Sequence, residues 1–510
     1  MSAMAPSEPS PTPEAPSPEA PSPEAPRGSR GSAAEALVWP LLLFLVALLL
    51  QGLQNKNFAD GDTGYHLAVA RYTAAHGVLV DFPWTPFSWL GKHYADKELA
   101  LHLLMVPFSG LDINLASRIV GALLGGVLLC TLYGVLRAAR APGAGFWTLA
   151  AVASSGAFIY RFVIVRPHLM AITLTMILVY AGGTRRWRAL ALACFAYPFC
   201  YTAWHVPLGL GVLAALANGI GRQPRWWAPA VVAPLSLALG VLAHPNFPNN
   251  LQFFWIQNVE VLFQTAWAGR EGFELGGEFL PFTTRGLARY VAVPALATLG
   301  AVVVLARGRS REPLALLALA AALGFGLLTT QTQRFIEYLS PLSMLALALA
   351  LGPGADRRWA TGALAAGLAW TGLVGTHPIG LLRDQTIKFP EPVAEALQRL
   401  VPEGAMVFHC EWLDVGEMML ALPERRFLFA LDPVLFYRGD PEAYRAWFTM
   451  LRQPPERPSE PLQRIFHADY VLCDVRPQWS AFRAAMEADP QIQGPLVLAG
   501  NVLYKVAAPE

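Results

Sequence analysis

Charge is what this sequence most lacks. Only 15% of its 510 residues are charged and 54% are hydrophobic, against about 25% charged in an average soluble chain. With a mean hydropathy of +0.39, the deficit excludes an ordinary soluble domain and points to many membrane crossings. The formal net charge is only +2, so there is no global basic field to bind nucleic acid. Cysteine is scarce too. Five are present, without a CxxC or a Cys/His cluster, so structural zinc is not expected. Cys130, Cys194 and Cys200 lie in apolar runs. Cys410 and Cys473 lie in strand-like runs, where the pattern fits either a disulfide or buried free thiols. No small-residue cleavage site follows the first apolar run, which therefore reads as an uncleaved signal anchor.

Three regions follow one another along the chain. Residues 1–34 carry the repeat PEAPSPEAPSPEAP, a composition that cannot build a core and reads as a disordered, polyproline-like cytoplasmic tail acting as a tether. Residues 35–380 hold the apolar runs 37–53, 115–136, 144–160, 167–182, 187–203, 206–220, 226–243, 287–306, 313–329, 334–351 and 359–376. Each is about long enough to span a bilayer as a helix. The run 98–110 is too short and reads as an interfacial or re-entrant helix. With the N-terminus in the cytoplasm, the short cytoplasmic turns hold Arg137 and Arg140; Arg185, Arg186 and Arg188; Arg222 and Arg225; Arg307, Arg309 and Arg311; and Arg357 and Arg358. Every one is basic, as the positive-inside rule requires. The expected fold is therefore a polytopic α-helical membrane protein of about eleven transmembrane helices. Its outer loops are 54–97 and 244–286. Residues 388–510 alternate helix-like and strand-like stretches and read as a small extracytoplasmic α/β domain.

The first outer loop opens with FADGDTGYHLAVARY. Asp60 and Asp62 stand one residue apart, just before a helix predicted over 63–76. An N-cap role accounts for Asp62 but not for Asp60, nor for Gly61, where a backbone can approach a ligand closely. Paired carboxylates at a membrane face can deprotonate an acceptor or hold a divalent cation beside a phosphate. Tyr65, Val69 and Tyr72 recur at helical spacing and suggest an interfacial apolar face. His66 lies one turn after Asp62, where it can bond the carboxylate or face solvent. Glu98 and His102 repeat that spacing; Glu98 is a second acid/base candidate. Arg161, Arg166 and His168 lie in YRFVIVRPHLMA, and Arg334 in TTQTQRFIEYLSP. Arginines on the outer side break the positive-inside pattern, and a guanidinium fork suits phosphate. Snorkelling to the interface is the alternative reading. In the second outer loop Glu271, Glu274 and Glu278 sit among glycines, in a stretch able to close over a cavity.

DTGYHLAVARYTAAHG, DFPWTPFSWLGKHYADKEL, EFLPF and, more faintly, EWLDVGEMML together resemble the GT-C glycosyltransferases. Within them, the likeness is to the catalytic subunit of oligosaccharyltransferase and its bacterial relatives. It extends over most of residues 36–510. The resemblance implies a polyprenyl-phosphate-linked sugar donor, drawn from the membrane lipid, and an acceptor that is a lipid, a glycan or a protein. It implies transfer on the outer face of the cytoplasmic membrane of a bacterium. It maps Asp62 to the first-loop carboxylate, Arg334 to a donor-phosphate contact and Glu278 to a later-loop acid. The family's second acidic loop motif is replaced here by the basic YRFVIVRPHLM, so metal-independent transfer is expected. A transporter or flippase for a lipid-linked or anionic substrate, or a non-catalytic scaffold of the same fold, are the competing readings.

Overall fold

The computed structural model describes residues 33–57, 60–261, 276–308 and 311–507. The repeat tail, Glu271 and Glu274 lie outside them. The helices that carry or support the site are α1 (Ala33–Gln51), α2 (Gly61–His76), α3 (Leu99–Met105), α4 (Ile113–Ala138), α5 (Ala144–Ala153), α6 (Gly156–Val163) and α7 (His168–Gly183). Apolar helices Trp187–Cys200, His205–Ile220, Ala228–Ala243, Thr284–Gly308, Pro313–Gln331 and Gln333–Leu351 complete the bundle with Arg358–Val374. Every apolar run read from the sequence contains a helix. Among the described residues, four helices are long and apolar enough to cross a membrane by themselves, and a bent pair makes five. The others, Leu37–Gln51 among them, are shorter apolar helices.

The bent pair corrects one expectation. Run 144–160 is not one straight helix: α5 and α6 meet at 95°. Two serines make the corner. Ser154 Oγ donates to the Ala151 carbonyl, and Ser155 Oγ caps α6 by accepting from the Phe158 N–H. Hydroxyls of this kind compete with the helical ladder and supply the new N-cap. At Gly156 an added Cβ would lie 1.8 Å from the Gly375 carbonyl oxygen, so only glycine lets α6 start against that neighbouring backbone. The corner turns the end of α6, with Arg161, inward rather than along a continued span.

The C-terminal part builds a five-stranded sheet in the order β2-β1-β3-β5-β4. These strands are β1 (Met406–His409), β2 (Arg426–Phe427), β3 (Tyr470–Asp474), β4 (Ile492–Leu498) and β5 (Asn501–Val506). β2, β1 and β3 are parallel, while β5 and β4 are antiparallel. Cys410 and Cys473, at the ends of the neighbouring β1 and β3, form a disulfide with Cα atoms 5.0 Å apart. One face buries Phe408, Phe429, Phe436, Tyr444 and Trp447.

The other face is covered by the segment that follows α1, residues 61–95. Tyr65, Val69, Trp84 and Trp89 share a core with Val407, Met418, Phe427 and Leu472. Trp84 Nε1 donates to the Pro423 carbonyl at 2.6 Å, and the Phe427 N–H donates to the Trp84 carbonyl at 2.7 Å. Helix α2 meets the Trp412–Ala421 segment backbone to backbone. A Cβ on Gly61 would sit 2.8 Å from the Leu413 oxygen, one on Gly64 2.6 Å from the Glu417 nitrogen, and one on Gly416 2.5 Å from the Gly61 oxygen. Two expectations change here. Gly61 gives room to the C-terminal segment rather than to a ligand. Tyr65 and Val69 are buried against protein, because their helix is sandwiched between the bundle and the sheet.

Candidate active site

Helix α2 starts with Asp60 in the N-cap position, but no side chain caps it. Asp60 instead spends both oxygens on Arg166, accepting from Nε at 2.8 Å and Nη2 at 3.0 Å. The Asp60 side of this fork-to-fork pair is buried, 5% exposed, while the Arg166 side chain is 19% exposed. Bidentate, charge-assisted bonding of that kind fixes both partners. Asp62 lies in the first turn, not at the N-cap as one reading of the sequence had it. Its Oδ2 is 3.2 Å from Arg166 Nη1 and its side chain is 35% exposed. The two carboxylates thus differ in kind: Asp60 is locked, and Asp62 is the one with a free face.

Arg166 stands in the short link between α6 and α7, beside Arg161 at the end of α6. Both reach Glu278, which lies in a 3-10 turn Gly277–Phe279. Its Oε2 accepts from Arg161 Nη1 at 2.5 Å and from Arg166 Nη1 at 3.0 Å. Arg334 Nη1 is 3.6 Å from the other Glu278 oxygen, a loose contact. Its Nη2 donates to the Tyr201 hydroxyl at 2.5 Å, and the guanidinium lies 4.9 Å from the Phe279 ring centroid. The Glu278 turn is tied to the Arg334 turn by the Gln333 N–H donating to the Leu280 carbonyl at 2.9 Å and by Gln333 Nε2 donating to the Gly277 carbonyl. Behind them Glu337, fully buried, accepts from Arg161 Nε at 2.9 Å. His168 Nε2 faces the Arg161 carbonyl at 2.7 Å and is buried, so it backs Arg161 rather than opening onto the site.

Burial would raise the Glu278 carboxyl, but Arg161, Arg334 and Arg166 outweigh it and hold it well below its usual range. Asp62 goes the other way. Its surroundings desolvate it and raise its pKa, Arg166 pulls it down, Asp60 and Glu278 push it up, and Lys97 opposes them. Two carboxylates on one cluster are therefore driven apart, one fixed as an anion and one made more basic.

His66 and Glu98 do not join this cluster. His66 Nδ1 is 3.0 Å from His102 Nε2 and 3.3 Å from Glu98 Oε2, and Lys97 Nζ holds the other Glu98 oxygen at 3.0 Å. His66 takes neither of the two courses the sequence left open: it is buried, and its contacts are His102 and Glu98 rather than Asp62 or solvent. Burial, followed by His102, holds the His66 pKa well below its ordinary value, leaving the ring neutral. Sequence reading missed Glu337, Tyr201 and Lys97. A lone carboxylate in the apolar QRFIEYLSPLSML is a signal that finds Glu337, since an ionisable group in a span needs a partner.

The bundle, its bent helix pair, the 61–97 segment and the appended sheet together make a fold shared with two solved GT-C glycosyltransferases. Particular structures carry that comparison. The chain is similar to the archaeal oligosaccharyltransferase AglB from Archaeoglobus fulgidus, solved with an inhibitory peptide and a dolichol-phosphate. That match has a TM-score of 0.55 at 14% identity, over 90% of this chain and 72% of that one. It is also similar to the arabinofuranosyltransferase AftD from Mycobacteria, at a TM-score of 0.54 and 16% identity, over 93% of this chain. The chain spans 42% of that larger protein. No family model matches the sequence, and no curated protein matches it.

Proposed function

We propose that this protein transfers a sugar from a polyprenyl-phosphate-linked donor to an acceptor at the outer face of the membrane, with Asp62 as general base. The observation that carries the proposal is the contrast between Asp62 and its neighbours. It is the most exposed carboxylate of the cluster and keeps a single arginine contact, where Asp60 takes two bonds from Arg166 and Glu278 meets three arginines, and its environment raises its basicity. A base of this kind takes a proton from an acceptor hydroxyl or amine as that atom attacks the anomeric carbon. The bond to the lipid phosphate breaks as the new glycosidic bond forms, and the phosphate leaves with the electron pair. A single displacement inverts the anomeric centre.

Arg334 is the arginine best placed to receive the leaving phosphate. Its carboxylate contact is loose, it is 21% exposed, and its remaining partners are a phenol and an aromatic face. Arg161 and Arg166 add positive charge beside it, and a preorganised cation acts where charge develops. The dolichol-phosphate held by the archaeal neighbour is the ligand class this arrangement suits. The disulfide supports placing the C-terminal domain outside the cytoplasm, since such bonds persist in oxidising compartments.

The test is purified Asp62→Asn assayed with a panel of polyprenyl-phosphate sugars. Turnover should fall about 10²–10⁴-fold, with the melting temperature held. Unchanged turnover in the folded variant removes Asp62 from the role of base.

A further inference from the structure

The second polar cluster, built from α2 and the start of α3, has a composition the transfer reaction does not use. Three atoms with lone pairs converge there: His66 Nδ1, His102 Nε2 and Glu98 Oε2, all within 4.8 Å of one another. His66 and His102 are 1% and 0% exposed and Glu98 is 4%. His102 Nδ1 lies 2.8 Å from Asp96 Oδ2. That bond puts the His102 proton on Nδ1 and leaves Nε2 as an acceptor aimed into the cluster. At most one of the three atoms, His66 Nδ1, can then carry an N–H, which leaves one proton for the two acceptors His102 Nε2 and Glu98 Oε2. Among the described residues, Glu98 Oε2 has no hydrogen-bond donor and His66 Nε2 also lacks a partner. A buried carboxylate oxygen left this way is costly.

We propose that His66, Glu98 and His102 hold a zinc ion, with Asp96 orienting the His102 ring. Two imidazoles and one carboxylate form a donor set suited to zinc rather than to magnesium or calcium, which take oxygen. Zinc bonds of about 2.0–2.1 Å at tetrahedral angles separate ligand atoms by about 3.4 Å. The observed separations from His66 Nδ1 are 3.0 Å and 3.3 Å. The carboxylate on the far nitrogen of His102 is the support that metal-bound histidines receive in zinc sites. Lys97 neutralises the outward oxygen of Glu98 without occupying the inward one. Tyr65 stands edge-on to both imidazoles, with ring centroids 5.3 Å and 5.5 Å away, and closes that side of the site.

The ion would join α2 to α3 one helical turn beyond Asp62, so its role is to position the helix that carries the base. The proposal stands apart from the transfer reading because metal content is measured without any assay of turnover. Full-length protein, purified in detergent without chelator and equilibrated with zinc, should carry about one zinc per chain by elemental analysis. The same protein loaded with cobalt should show the visible absorption of a tetrahedral site. His66→Ala combined with His102→Ala should abolish both signals. Asp96→Asn, which keeps every ligand, should weaken zinc binding about 10-fold or more. Wild-type protein that takes up neither zinc nor tetrahedral cobalt overturns the assignment, whatever the variants do. Zinc retained in full by the double variant overturns it equally.

Discussion

Asp60 and Asp62 are one residue apart and lie on opposite sides of a chemical division. Both oxygens of Asp60 are committed to Arg166; Asp62 shares a single contact with the same guanidinium. In the proposed role this sets a pH profile. A general base works deprotonated, and the Asp62 pKa is raised above the ordinary aspartate value. The acidic limb of kcat/KM should therefore lie above the usual aspartate range, with activity falling as pH drops through it. Neighbouring charges fix the direction of two further shifts. Arg166 lowers the Asp62 pKa and Glu278 raises it, so Arg166→Gln should move the limb up in pH and Glu278→Gln should move it down. A limb that ignores both substitutions belongs to another group. Much of this cluster was legible in the sequence, because arginines on the side that the loop charges read as outer violate a strong statistical rule and carboxylates beside a span are rare. Its pairings were not. Arg166 meets Asp60 across 106 residues and Arg161 meets Glu337 across 176, and no local pattern encodes partners at such separations.

Helices of the bundle were legible because their apolar content is nearly continuous, and the loop arginines punctuate it. The break between α5 and α6 was not, since two serines within an apolar run are compatible with a straight span until their hydroxyls find backbone partners. Glycine had the opposite problem: its presence was visible but its neighbour was not. Gly64 of α2 faces the backbone of Gly416 and Glu417, with 2.6–2.8 Å available for a Cβ. Those contacts are main chain on a packed segment, so they cannot swing aside as a flexible side chain would. Gly64→Ala should separate α2 from the C-terminal domain. The expected cost is roughly 1–3 kcal/mol, seen as a lower melting temperature, with a fall in turnover although Asp62 is intact. Gly77→Ala is the control for crowding, because nothing lies within 4 Å of its Cβ position; its φ of +86° instead strains any side chain placed there. A Gly64→Ala variant with wild-type melting and turnover would show that the close approach is not what holds the helix in place.

For the molecule as a whole, the arginines of the short turns say more than their charge. Arg140, Arg185 and Arg222 have φ of 58°, 58° and 51°, the left-handed region that a helix C-terminus usually gives to glycine. Each follows a helix whose end closes the same way. The Ala141 N–H donates to the Leu136 carbonyl, Arg186 to Ala181, and Gln223 to Asn218. These are three six-residue Schellman closures with arginine where glycine is easiest. The left-handed conformation costs a non-glycine residue about 1–2 kcal/mol, and a cation near a helix C-terminus recovers about 0.3–1 kcal/mol. The remainder needs another reason, and retention of positive charge in cytoplasmic turns supplies it. On this reading the three turns lie inside and the disulfide-bonded domain lies outside. In a background without Cys130, Cys194 and Cys200, a membrane-impermeant maleimide should label Glu456→Cys on intact spheroplasts. Arg222→Cys should react only after lysis. Both positions are exposed on the protein, so protection reports the membrane rather than burial. Labelling of Arg222→Cys before lysis, with Glu456→Cys protected, would invert the bundle and place Asp62 and its arginines on the cytoplasmic side.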